Sequence, residues 1–345
     1  MSCRYLKIED FCSTGSGGTP SRSKPEYYEG GDIPWIKSGD LKDSKIYEAN
    51  EYITAAGLEN SSAKIVEKDS ILIAMYGATV GRLAILGINA ATNQAICNIR
   101  PDTTIADMKY LYYFLKSKFS YFVENAVGGA QPNISQGLIK SLEVPLPSLD
   151  EQKRIADILD KAAGVCQKRE QAIKLADDFL RAKFLEMFGT PANNIHRFPK
   201  GTIRDLVDSV NYGTSAKASI DSGEYPILRM GNITYQGRWD FTDLKYLDLS
   251  VKEKDKYLVK EGDLLFNRTN SKELVGKTAV YEEDRPMAFA GYLIRVRPNS
   301  IGNNYYISGY LNSIHGKITL MNMCKSIVGM ANINAQELQN IEILI

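Results

Sequence analysis

Five segments of the 345-residue chain occur twice, in the same order and at nearly one spacing. "IEDFCSTGSGGT" (8–19) returns as "IRDLVDSVNYGT" (203–214), an offset of 195 from Ile8 to Ile203. "GGDIPWIKSGDL" (30–41) returns as "SGEYPILRMGNI" (222–233), an offset of 192 that sets Pro34 on Pro226, Lys37 on Arg229 and Gly39 on Gly231. "KDSILIAMYGATVGRLAIL" (68–86) returns as "EGDLLFNRTNSKELVGKTAVY" (261–281), with Asp69 on Asp263 and Gly81 on Gly276. "YLYYFLKS" (110–117) matches "YISGYLNS" (306–313) at 196, and "PNISQGLIKSLEV" (132–144) matches "ANINAQELQNIEI" (331–343) at 199. Each match is weak alone, but ordered repetition at one offset marks a duplicated module. The drift in offset places short insertions in loops, where they disturb packing least.

Each copy reads as α+β. Short apolar runs such as "SILIAM" and "DLLF" are bounded by Gly, Asp and Asn, as hairpin strands are. One aromatic-rich helix follows in each copy, at 108–126 and 305–322. Tyr110, Phe114 and Tyr121 recur at helical spacing in the first, Tyr306 and Tyr310 in the second. That spacing predicts side chains packing a helix on a sheet, rather than rings offered to nucleic-acid bases.

Between the copies, "SLDEQKRIADILDKAAGVCQKREQAIKLADDFLRAKFLEMFG" (148–189) predicts one long helix. Ser148 is the N-cap, with Glu151 as its capping-box partner. The preceding "PLP" cannot be helical, and Gly189 followed by Pro191 stops the run. Ile155, Ile158, Leu159, Ala162, Val165, Ile173, Ala176, Phe179, Leu180 and Phe184 form an apolar stripe with a period between 3.5 and 3.6 residues. At 1.5 Å per residue such a helix spans about 60 Å, longer than a small domain is wide. The stripe therefore predicts a partner helix, with Asp157, Lys161, Lys168, Glu170 and Lys174 flanking it as in a coiled coil. The expected divisions are 1–147, 148–189 and 190–345.

Composition narrows the function classes. Hydrophobic residues make up 44% and charged residues 24%, ordinary for a globular chain, and the net charge of +1 neither favours nor excludes nucleic acid. No apolar run approaches a membrane span, and the N-terminus lacks a signal-peptide layout, so the expected location is the cytoplasm, with no membrane partner. Cys3, Cys12, Cys97, Cys166 and Cys324 form no CxxC pair, and only His196 and His315 are present, which argues against a metal site.

The order repeat, long helix, repeat, with "LPSLDEQKRI" (146–155) closing the first copy, resembles the specificity subunit of type I DNA restriction-modification enzymes. "GGTPSR" (17–22), "GGDIPWIKSGDL" (30–41) and "YGATVGRLAIL" (76–86) are further landmarks, and the resemblance spans the whole chain. It implies an α+β fold of two similar mixed α/β target recognition domains joined by a long coiled-coil-type helix. Each domain would read one half of a split double-stranded DNA target, and the helix would act as spacer and docking surface. The implied partners are methyltransferase (modification) subunits and restriction (motor-nuclease) subunits. S-adenosylmethionine, ATP and Mg would belong to those partners, and no cofactor to this chain.

Base readout requires donors and acceptors on loops that can enter the major groove, and phosphates require Lys, Arg, small hydroxyls and free backbone N–H groups. In the first copy these criteria select Thr19, Ser21, Arg22, Lys37, Ser38, Tyr76, Thr79 and Gln131, in loops that include Gly129 and Ala130. In the second they select Thr214, Lys217, Arg229, Asn232, Asn267, Arg268, Asn270 and Lys272, with Gly329 and Met330. "NRTNSK" (267–272) is the densest cluster. Asn93 and Gln94 rank lower, being expected within a strand. Gly and Asn serve ordinary turns as readily.

The chain carries no catalytic signature of its own. It has no Pro-Pro pair for an adenine methyltransferase motif and no P-loop, since Ser271 stands where "ELVGKTAV" would need glycine. Acidic residues are dispersed rather than clustered for magnesium. The expectation is a non-catalytic DNA-reading and scaffolding subunit. The alternatives are a truncated or regulatory relative that binds DNA or partner subunits without productive assembly, and a coiled-coil adaptor that does not bind DNA. The second copy runs to Ile345, where a second long helix would begin. This register predicts either a fragment or a mate helix supplied by another chain, including self-association through the central helix.

Overall fold

The computed structural model describes residues 4–129, 131–327 and 330–345; Cys3, Ala130 and Gly329 lie outside them. The chain forms two compact units, Met1–Lys168 and Arg169–Ile345.

In the first unit, a five-stranded sheet runs in the order Cys12–Ser16, Ile96–Pro101, Ile71–Ala74, Leu83–Leu86, Lys45–Ile46. A second, four-stranded sheet runs Glu51–Ile53, Ile33–Ile36, Ala90–Thr92, Ile65–Val66, with a parallel pairing of Trp35 on Ala91. Residues of the central strand alternate between two cores. Ile71 and Ile73 meet Tyr110, Leu111, Leu115 and Phe122 of the helical layer, whereas Leu72 and Ala74 meet Ile36, Val66 and Ala90 of the second sheet. A strand covered on both faces reads as an unbroken apolar run, which is why "ILIA" shows no alternation.

The second unit repeats this plan. Its first sheet runs Val207–Tyr212, Leu293–Pro298, Leu264–Asn267, Thr278–Val280, and its second runs Lys245–Leu247, Tyr225–Leu228, Met287–Phe289, Leu258–Val259. The parallel pairing recurs between Ile227 and Ala288. Leu264 and Phe266 face the helices, and Leu265 faces Leu228, Met287 and Phe289. In each unit a two-stranded ribbon ties the start to the end: Arg4–Lys7 on Glu143–Leu146, and Lys200–Thr202 on Glu342–Leu344.

Each aromatic-rich segment is two helices, not the single helix expected. Met108–Ser117 breaks at Lys118 before Phe119–Glu124, and Asn304–Asn312 breaks at Ser313 before Ile314–Met323. At Ser313 the cause is capping. The residue is extended (φ −66°, ψ 162°), its Oγ accepts from Gly316 N at 3.1 Å, and it donates to Tyr310 O at 2.6 Å. Tyr110 and Tyr310 are buried against the sheets as their spacing predicts, while Tyr121 is exposed.

The long helix is continuous over Leu149–Phe188. Ser148 Oγ accepts from Glu151 N at 3.4 Å, but the Glu151 side chain turns to Arg154 instead of closing a capping box. Its first turns pack into the first unit through Ile155, Ala156 and the fully buried Gln152. Its last turns pack into the second unit, where Phe184 and Phe188 meet the ring of Tyr306 at 5.7 and 5.0 Å.

Candidate nucleic-acid interface

In each unit, five chain segments meet at one end of the two sheets, linked by backbone hydrogen bonds. In the first, Gly18 N donates to Thr92 O (2.9 Å), Asn93 N to Ile36 O (2.9 Å), Met75 N to Ala95 O (2.8 Å), Gly77 N to Pro132 O (2.8 Å) and Ile134 N to Met75 O (2.9 Å). The second unit repeats four of these five links: Thr214 N to Phe289 O (2.9 Å), Ala290 N to Leu228 O (2.9 Å), Arg268 N to Tyr292 O (3.0 Å) and Ile333 N to Arg268 O (2.9 Å). The loops that begin at Gly17, Lys37, Tyr76 and Gly128 are thus assembled into one surface, and so are their counterparts at Gly213, Arg229, Arg268 and Met330. Asn93 and Gln94 lie just beyond the strand Ala90–Thr92, on the array itself.

Backbones approach too closely here for side chains. A Cβ on Gly17 would sit 1.9 Å from Thr92 O, and one on Gly213 would sit 2.3 Å from the carbonyls of Phe289 and Ala290. Each follows directly on the equivalent strand end, Ser16 or Tyr212, one residue off the sequence match of Gly18 to Gly213, and glycine there is required by contact, not by flexibility.

The first array carries a compact charged group. Arg22 Nη2 pairs with Glu51 Oε2 at 2.6 Å, while its guanidinium lies 4.4 Å from the Tyr28 ring and 5.1 Å from the Trp35 ring. Lys37 Nζ pairs with the other oxygen of the same carboxylate. Hydrogen bonds from Lys37 first, then Arg22, hold the Glu51 carboxyl below the usual range. Trp35 Nε1 donates to Gly18 O at 3.1 Å and Tyr28 Oη to Pro20 O at 2.6 Å, so both rings are fixed to the "GGTPSR" loop. Thr19 Oγ1 donates to Gln94 Oε1. Thr19, Ser21, Arg22, Tyr76 and Gln131 are exposed, and Lys37, Ser38 and Thr79 are half-buried.

In the second array, Arg268 stacks 4.9 Å over the Tyr212 ring and donates to Asn332 Oδ1 at 3.2 Å, and Asn332 Nδ2 donates to Thr269 Oγ1 at 3.0 Å. Arg229 Nη2 donates to both Asp243 Oδ2 and Asp243 O at 2.8 Å. Lys217 and Lys272 are exposed and Asn270 is half-buried. Buried Lys277 reaches the carbonyls of Met230 and Ile233, and desolvation pushes its ammonium down.

Three residues expected to face DNA are placed inside the fold. Asn232 is buried because it closes the turn: its Oδ1 accepts from Arg229 N (2.8 Å), and its Nδ2 donates to Asp240 O (2.9 Å) and Asp243 O (3.0 Å). Thr214 is buried with its Oγ1 accepting from Ala216 N at 3.1 Å. Asn267 is wholly buried at the end of the central strand, and neither polar atom of its side chain has a partner among the described residues. All three are polar residues of turn-forming type, whose local bonding looks the same in sequence as a reading loop. Glu51, Tyr28, Trp35 and Asp243 were not singled out; only the three-dimensional pairing reveals them.

Along the long helix, Ile158, Leu159, Ala162, Val165, Ile173, Ala176, Phe179 and Leu180 are exposed. The two ends of the stripe differ: Ile155 packs on the core of the first unit and Phe184 on that of the second. These two are held by their own chain because the first two and last two turns of the helix pack into the unit cores. Among the described residues, no group of three or more His, Cys, Asp and Glu could hold a metal ion, and no helix is long and apolar enough to cross a membrane.

A duplicated two-sheet module, with matched loop arrays and one connecting helix, defines a class of paired recognition modules. Residues 4–175 and 198–345 match the family described as type I restriction modification DNA specificity domain, and the chain belongs to that family. It is 33% identical over 150 residues to the EcoR124I/EcoR124II specificity subunit of Escherichia coli, covering 42% of this chain and 37% of that protein. It is 33% identical over 187 residues to the MjaIX specificity subunit of Methanocaldococcus jannaschii, covering 53% of this chain and 42% of that one. The first two relatives are therefore matched over less than half of their length. Similarity to the EcoKI specificity subunit of E. coli K12 is lower, 24%, but extends over 91% of this chain and 72% of that protein. In fold, the chain resembles the type I S subunit from M. genitalium (TM-score 0.54, 14% identity, 99% of this chain and 84% of that one). It also resembles a chain from a structure of type I restriction-modification complex assembly (TM-score 0.53, 17% identity, 99% and 85%).

Proposed function

We propose that this chain is a non-catalytic, sequence-specific DNA-binding subunit of a type I restriction-modification complex, reading a split target with one array per half-site. The observation that carries this reading is the repetition of the same five-segment array, with a cation at the same turn, in two units of diverged sequence. Two copies of one reader with different side chains on equivalent loops suit a bipartite and asymmetric target. The named relatives, all specificity subunits, support the assignment. On this reading the exposed apolar residues of the long helix dock methyltransferase subunits or a partner helix, and motor-nuclease subunits join that core. S-adenosylmethionine, ATP and Mg act in those partners, in the cytoplasm.

The test combines the chain with its methyltransferase subunits and maps methylated motifs. The Arg268→Ala variant should alter recognition at one half of the motif and leave the other half intact. Equal change in both halves, or none, would overturn the modular reading. No DNA binding by the assembled complex would favour the adaptor alternative.

A further inference from the structure

The cation at the head of each matched turn is not free. Lys37 is held by Glu51, which also holds Arg22; Arg229 is held by Asp243. In both units the segment that carries the carboxylate is tied to the turn. Asp40 closes the first turn by accepting from Lys37 N (2.8 Å), and its other oxygen accepts from Asn50 Nδ2 (2.7 Å), beside Glu51. Asn232 closes the second by accepting from Arg229 N and donates to the backbone of Asp243. The residue at the third turn position thus ties the turn to the segment that brings the acid.

Stability does not account for this repetition. The Glu51 side chain is 30% exposed and Asp243 82%, and ion pairs so open to water contribute little to folding. What an acid at these places does change is the local potential. With Glu51, the group formed with Arg22 and Lys37 carries one net positive charge; without it, two. Among the described residues, the other acid bonded to this group is Asp40, whose two oxygens face backbone and amide N–H groups. In the second unit, Asp240 is turned to Thr242 and Lys277 to carbonyls, leaving Asp243 as the counter-charge of Arg229.

We propose that Glu51 and Asp243 are specificity-determining counter-anions: they offset the turn cations in the free protein, so that a phosphate engages those cations in competition with the carboxylate. The inference rests on the DNA-reading function proposed above. Cognate DNA, held by contacts to its bases, can prevail in this competition; non-cognate DNA, bound through phosphates alone, is penalised. The carboxylates therefore act against wrong sequences rather than for the right one.

The experiment uses the full chain assembled with its methyltransferase subunits. Fluorescence anisotropy compares a duplex carrying the mapped motif with duplexes scrambled in one half-site, over a series of salt concentrations. Glu51→Gln should tighten binding to non-cognate duplex by about threefold, rising toward tenfold at low salt, and steepen its salt slope by about one. Cognate binding should tighten less, so discrimination falls. Asp243→Asn should do the same independently, and Glu51→Asp should fall between wild type and Glu51→Gln. Unchanged or weaker non-cognate binding in both neutral variants would overturn the proposal, as would a loss confined to cognate duplex, which would make the acids orienting groups. Absence of any preference for the motif in the wild-type complex would instead sink the underlying function, and this inference with it.

Discussion

Replacing Gln152 with leucine should unfold the first unit far more readily than its position on a surface helix suggests. Gln152 is fully buried; its Nε2 donates to Ile105 O (3.2 Å) and Pro147 O (2.9 Å), and its Oε1 accepts from Asp107 N (2.8 Å). One side chain thereby joins the first turn of the long helix to its own leader and to the N-terminus of the helix Met108–Ser117, for which Asp107 is the cap. Leucine matches the volume closely, so packing is conserved while three hydrogen bonds go. Stranding one buried backbone N–H and two carbonyls costs about 1–2 kcal/mol each, a total of about 4 kcal/mol. Urea denaturation followed by tryptophan fluorescence reads this directly, because Trp35 lies in the first unit and Trp239 in the second. In a Trp239→Phe background, the Trp35 transition should move down by about 2 M urea at a slope of about 2 kcal/mol/M. A shift below about 0.5 M would refute the reasoning, showing that the three groups find water or other partners.

Two further substitutions test the second unit and the array. Burial first, then the neighbouring Arg181 and Lys277, push the Lys317 ammonium down to about 8. Its folded pKa lies below its unfolded value, so the penalty is fully present below pH 8 and disappears as pH rises toward 10.5. Lys317→Met should stabilise the second unit by about 2 kcal/mol at pH 7, discounted for partial solvent contact, and by almost nothing near pH 10.5; a gain equal at both pH values, or a loss, in thermal melts would contradict this. Gly17→Ala places a Cβ 1.9 Å from Thr92 O, so it should destabilise the first unit by about 3 kcal/mol and change recognition at that unit's half-site only. Calorimetry with motif mapping checks both effects together.

Several parts of this structure were legible in the sequence because their signals are local or periodic. At the central strand the repeat register is shifted by one from the sequence match of Asp69 to Asp263: Asp69 N and Gly262 N make the equivalent bonds, to Leu86 O and Tyr281 O, and Tyr76 and Thr269, each paired to an Asn of the last loop, are likewise 193 apart, whereas Gly81 and Gly276, each donating to the last residue of the central strand, are 195 apart. The two-residue insertion therefore lies in the loop between them. The long helix announced itself by its stripe and its stops. The helix breaks at Lys118 and Ser313 did not, because the apolar spacing continues across them.

The sequence by itself determined that two similar modules exist, that a single long helix joins them, and that the polar loops recur in matched order. These properties follow from order along the chain and from side-chain periodicity. Only the tertiary structure decided which polar residues of those loops meet solvent. Asn232, Thr214 and Asn267 turned inward while Arg22, Tyr76 and Lys272 did not, since burial depends on which segments cross at the sheet ends. The pairing of Glu51 with Lys37 and of Asp243 with Arg229 was likewise decided there. Each pair joins residues 14 positions apart that no local periodicity brings together, and charge attraction acts through space, across whatever neighbours the sheet topology supplies.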